Sequence, residues 1–161
     1  MDLGALQAVA QKGAQPALKR PIIVLAFASI GMVYTVMLMG VFLSSGPITE
    51  KGIVCTDWPL CPNGFGMPEE KYMFEYVHRL FAALTATIIY VTAAIVPAGA
   101  RRAKMASLVA AGLVSIQLLI GYLTVATGLN PVVVATHLST GITVFAFALL
   151  TFLWVGIWRK R

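Results

Sequence analysis

Charge is scarce in this sequence. Only 11% of its 161 residues are charged and 59% are hydrophobic, against about 25% charged in an ordinary soluble domain. A chain this short cannot hide so much apolar surface inside one globule, because the buried fraction rises with size and is smallest in short chains. A soluble fold is therefore excluded, and a lipid bilayer is the expected surrounding. Histidine is scarcer still, with His78 and His137 alone. Cysteine is limited to Cys55 and Cys61, and no second ligand pair lies near them, which argues against a zinc site. The N-terminal segment to Gln15 lacks the basic start and small-residue cleavage site of a signal peptide.

Four stretches are long enough to cross a bilayer, which takes about 20 apolar residues in a helix. They run over about 22–43, 72–97, 105–126 and 131–158, with Pro131 suited to a first helical turn. The expected fold is all-α, an integral membrane four-helix bundle built from two helical hairpins. Residues 1–20 form an N-terminal segment, read as a cytoplasmic or interfacial helix. Residues 21–161 form the membrane domain, with an outer loop over 44–71.

The formal charge of +6 suggests nucleic acid, but its placement argues for a membrane. Lys12, Lys19, Arg20, Arg101, Arg102, Lys104, Arg159, Lys160 and Arg161 all fall on one side of a four-helix thread. Lys51 and Lys71 fall on the other, offset by Glu50, Asp57, Glu69 and Glu70. This positive-inside pattern predicts both termini in the cytoplasm of a multi-pass plasma-membrane protein and no nucleic-acid partner. Trp154 and Trp158 are expected at the inner interface, Tyr72 and Tyr76 at the outer one.

The two hairpins echo one another. The first helix ends in a segment opening with Gly40 and the third in one opening with Gly121; each is followed by a helix with one histidine in its early turns. Both helices enter from the outer face, so His78 and His137 are expected at similar depth. Two imidazoles at one level, from two helices, suit ligation of a heme iron from both faces. The competing reading is a pair of unrelated interhelical hydrogen bonds.

Glu75 precedes His78 by three residues and shares its helix face. A carboxylate near the hydrocarbon is costly unless it is paired or functional. It either acts chemically or forms an interfacial ion pair with Arg79, four residues on. Arg79 could instead meet a heme propionate, since its planar fork suits carboxylates. Cys55 and Cys61, with five residues between them in the outer loop, are read either as a structural disulfide or as a redox-active thiol pair. Gln117, the most polar residue of the third helix, reads as interhelical glue.

These residues resemble a known family. Cys55-Thr56-Asp57-Trp58-Pro59-Leu60-Cys61 followed by Glu75-Tyr76-Val77-His78-Arg79 is similar to the heme A synthases. So is the run from Gly121 through Leu129, with Pro131 and then Val134 to Leu138 around His137. The resemblance implies oxidation of a methyl group of heme O to the formyl group of heme A, for assembly of terminal oxidases. It implies two successive oxygenations of one carbon, with electrons and dioxygen supplied from outside. His78 and His137 match the family's axial ligands to heme (heme B, or heme O and A as substrate and product). Glu75 matches its acidic catalytic residue, and Cys55 and Cys61 match its outer-loop cysteines. The usual member has eight helices in two halves, whereas this chain has one half, like the compact version known among archaea. That difference implies a homo-oligomer, with heme O synthase as a possible partner. Two other functions fit the histidine pair: a bis-histidine heme B electron carrier, and a heme-binding assembly subunit without turnover.

Overall fold

Four α-helices pack side by side with a short loop domain across one end. The structure, a computed structural model, describes residues 3–45, 54–55 and 57–159, and side chains over 20–44, 54–55 and 57–158. Residues 46–53 and 56 of the expected loop, including Glu50 and Lys51, lie outside the described residues, as do Lys160 and Arg161. The elements are α1 (Leu3–Ser45), a 3-10 turn (Glu70–Tyr72), α2 (Met73–Ile95), α3 (Arg101–Ala126) and α4 (Pro131–Arg159). Spans long and apolar enough to cross a membrane are Arg20–Ser44, Glu70–Ile95, Arg101–Ala126 and Pro131–Trp158. The expected all-helical, four-span architecture is present.

Helix limits differ from the sequence expectation in three places. The N-terminal segment is helical as expected, but its backbone runs on without a break into α1. Pro16 and Pro21 each remove one backbone donor without ending the helix. At about 1.5 Å per residue α1 is roughly 65 Å long, twice the hydrocarbon thickness of a bilayer. Helix α2 stops at Ile95 rather than Pro97, because Val96 is extended (ψ 120°), as the residue before a proline prefers. Helix α3 starts at Arg101 rather than Met105. The basic residues expected in the turn are its first helical turn, and Lys104 Nζ donates 2.6 Å to the Ala93 carbonyl near the end of α2.

The α3 to α4 turn is also written locally. Gly128 (φ 63°) and Leu129 (φ 62°) are left-handed. Leu129 N–H bonds Thr124 O and Gly128 N–H bonds Val125 O, closing the carbonyl end of α3. Asn130 Oδ1 then accepts from Val132 N–H, capping α4 with Pro131 in its first turn.

The helices form a ring. Helix α1 packs against α2 and α4, and α3 packs against α2 and α4. Hence α2 and α4 occupy opposite corners, as do α1 and α3. Near the basic end the core is Ile22, Val96, Ala100, Ala103 and Val155. At mid-height it is Val33, Ala86, Ile89, Ala110, Val114 and Val144. Many core positions are alanine, serine or threonine, which let helices approach closely where apolar burial gives little drive in lipid. At the loop end a third cluster joins Cys55, Cys61 and Tyr76. Between the second and third clusters the bundle does not close.

Candidate functional site

That gap is a cavity of about 570 Å³, within the range of roughly 300–1,000 Å³ usual for ligand and cofactor sites. His78 of α2 and His137 of α4 both line it, from opposite corners of the ring. His78 lies five residues into α2 and His137 six into α4, about 8 and 9 Å from the helix starts. Each histidine faces a glycine of the preceding helix. A Cβ built at Gly40 would lie 3.5 Å from His78 Cε1, and one at Gly121 would lie 3.3 Å from His137 Cε1. The two glycines of the internal echo therefore play the same structural part, since each leaves room for an imidazole.

Neither imidazole makes a hydrogen bond among the described residues, and both Nδ1 atoms are buried without a partner. Interhelical hydrogen bonding by the histidines, the competing sequence reading, is not what the geometry displays. A buried polar nitrogen without a partner is costly. Two of them at a mostly apolar cavity, with glycine space held open behind each ring, form a donor set that fits a bis-imidazole metal macrocycle such as heme.

Glu75 and Arg79 line the same cavity. Their ion pair is buried, with side chains 9% and 6% exposed and Arg79 Nε 2.8 Å from Glu75 Oε1. Arg79 reaches further into the loop. Its Nη1 donates to the carbonyls of Asp57 (2.5 Å) and Pro59 (3.5 Å), and its Nη2 to Cys55 O at 2.9 Å. The Trp58 ring lies over the guanidinium at 5.4 Å. Arg79 is thus the clasp between α2 and the loop, with most of its donors committed to protein, a role that sequence reasoning missed. Its signal was the Cys-bracketed run itself, a tight loop whose carbonyls need donors.

The loop is closed covalently by the Cys55–Cys61 disulfide, with Cα atoms 5.3 Å apart. The expected pairing of the two cysteines is present. Tyr76 departs from its expected place in an outer aromatic belt. It is 8% exposed, packs on the disulfide and donates to Phe65 O at 3.3 Å. It faces the loop because it shares a helix face with Tyr72 and Arg79 rather than with the lipid side of α2. Gln117 is glue, as expected: its Nε2 donates to His137 O at 2.8 Å, tying α3 to α4 beside the histidine. Its Oε1 is buried without a partner at the cavity wall.

Fold and site together define a multi-pass membrane bundle whose loop-end half holds an apolar cavity faced by two histidines, a glutamate and an arginine. The chain belongs to the COX15-CtaA family of cytochrome oxidase assembly proteins, whose profile matches residues 65–161. It is also similar to a protoheme IX farnesyltransferase of Haloarcula marismortui (29% identical over 132 residues) and to one of Halobacterium salinarum (30% over 136 residues). Each match covers 81% of this chain, but the chain spans only 27% and 28% of the length of those two relatives. No solved structure matches.

Proposed function

We propose that the protein is a heme A synthase that oxidises a methyl group of heme O to the formyl group of heme A, for assembly of a terminal oxidase. The observation that carries this reading is the shared cavity. His78, His137 and the Glu75 carboxylate line one mostly apolar space at the loop end, in a chain of the cytochrome oxidase assembly family. The similarity to two protoheme IX farnesyltransferases supports a farnesylated heme as the substrate. A bound heme would supply the redox chemistry with dioxygen.

The residues of this chain have separable roles. His78 and His137 would hold the heme iron, with Gly40 and Gly121 leaving room for their rings and Gln117 bonded to the His137 backbone. The disulfide-closed loop, clasped by Arg79, excludes water from above. Glu75 presents a carboxylate at the cavity wall, where it stabilises positive charge or holds a water near the reacting carbon. Arg79, besides its clasp, lines the cavity and would offer its guanidinium to a propionate of a bound heme. The basic end faces the cytoplasm, with both chain termini, and the site lies in the outer leaflet of the plasma membrane. We further propose that the protein acts as a homo-oligomer and receives its substrate from a heme O synthase.

The test is extraction of heme after expression beside a heme O synthase. Heme A in the extract supports the enzyme. Heme B alone identifies an electron carrier, and bound heme O without heme A a non-catalytic assembly subunit.

A further inference from the structure

The described residues leave part of the α2–α3 side of the cavity without a bridging contact. Above, the Arg79 clasp and the disulfide close the loop. Below, the mid-bundle cluster fills the ring. Phe42 and Phe74, with ring centroids 4.9 Å apart, close the seam between α1 and α2. Gln117 and the Gly121 contact close the seam between α3 and α4. Four residues of α2 line the cavity and are themselves exposed: Leu80, Ala83, Thr87 and Tyr90. Their spacing of three, four and three puts them on one stripe of the helix. The hydroxyl of Tyr90 meets Ser115 Oγ of α3 at 2.8 Å, so this stripe faces α3. The Trp58 and Tyr122 rings, 5.8 Å apart, join loop to α3 at the top. Between these two bridges the α2–α3 seam is a window, about 10 Å high from Ser115 to Tyr122 at 1.5 Å per residue. Its centre is floored by the methyl of Ala83 and the short side chain of Thr87.

We propose that this window is the passage and resting groove for the long prenyl chain of the substrate, which leaves the cavity sideways between α2 and α3 while the ring system stays between the histidines. This rests on the heme reading above and adds where the chain runs. A prenyl chain is apolar and flexible and carries no group that the polar loop could recognise. A lateral slot opening to lipid removes the need to bury it inside a bundle this small. It also gives a tailed substrate a route in and out that leaves the clasped loop unbroken. A heme without the chain would use the cavity and leave the window empty.

The experiment compares Ala83→Phe and Thr87→Phe with the unaltered protein and with Ala94→Phe, an exposed α2 position outside the cavity lining. Each purified full chain is titrated with heme B, which lacks the prenyl chain, and with heme O, which has it, following the absorption change on binding. Circular dichroism confirms equal helix content. The expected result is at least about tenfold weaker binding of heme O to either window variant, with heme B affinity within about twofold and Ala94→Phe unchanged. Ala83→Leu, a smaller plug, should give an intermediate loss. Equal losses for both hemes, or undiminished heme O binding, would overturn the assignment while leaving the heme reading intact. An unaltered protein that binds neither heme would overturn the heme reading, and this one with it.

Discussion

Gly121 on α3 stands against His137 on α4 so closely that a Cβ would come within 3.3 Å of the imidazole Cε1, and Gly40 stands in the same relation to His78 at 3.5 Å. The second distance is ordinary van der Waals contact, whereas the first needs the ring to move by a few tenths of an ångström. Gly40→Ala should therefore bind heme almost normally. Gly121→Ala should weaken it by a crowding cost of about 1 kcal/mol, roughly fivefold, and Gly121→Val by much more. Heme titration of the three variants checks the order. Equal effects at both glycines would mean that the closer contact does not limit the imidazole.

The Glu75 and Arg79 pair changes which substitution can report on catalysis. An exposed pair would contribute about 0–1 kcal/mol, so its loss would go unnoticed. This pair is buried, and removing one partner of a buried pair costs about 3–5 kcal/mol because the other charge is stranded. Glu75→Ala therefore confounds folding with chemistry. Glu75→Gln leaves the Arg79 charge unbalanced but keeps an oxygen to accept from its Nε, so it perturbs the fold less than Glu75→Ala. It should retain heme and lower the ratio of heme A to heme O about a hundredfold, the scale of a lost electrostatic contact to developing charge. A ratio unchanged at equal heme loading would make Glu75 a structural residue.

Arg79→Ala should be the most damaging single change at the loop. It removes the clasp to Asp57, Pro59 and Cys55 and strands the Glu75 carboxylate. Destabilisation of about 3–5 kcal/mol is expected, read as a lower melting temperature and faster proteolysis between α1 and α2. Arg79→Lys should not restore it, since one ammonium cannot serve the same fork of acceptors.

Opening the disulfide should cost less. A bridge across six positions restrains a short loop and contributes about 2 kcal/mol on the chain-entropy account. Arg79 still holds the Cys55 carbonyl from α2. Cys55→Ser with Cys61→Ser should therefore leave the four helices intact by circular dichroism and raise only the accessibility of the loop to protease. Global unfolding on reduction would show that the loop, and not the bundle, limits stability.

Much of this protein is legible without coordinates, for a physical reason. A chain this apolar must live in lipid, and lipid admits only segments that satisfy their own backbone. Length and hydropathy thus determined four helices, and the placement of charges set a basic end apart from a loop end. The depth of His78 and His137 followed from counting residues into α2 and α4, since helical rise is constant. The helix ends at Ile95 and Arg101 escaped the count because a pre-proline residue and a lysine reaching back to Ala93 decide them, not hydropathy.

Lateral packing lies beyond one-dimensional reading. Sequence spacing says which residues share a helix face, but not which neighbour that face meets. Only the ring order of the helices put α2 opposite α4, and so brought both histidines to one cavity. Only tertiary structure turned Tyr76 from the lipid toward the disulfide, buried the Glu75 and Arg79 pair, and committed the arginine's fork to loop carbonyls 20 to 24 residues away in sequence. The sequence alone determined what the helices are made of and how deep each functional group sits. The close approach of helices at small residues decided what those groups face, because that contact depends on side chains distant in the chain.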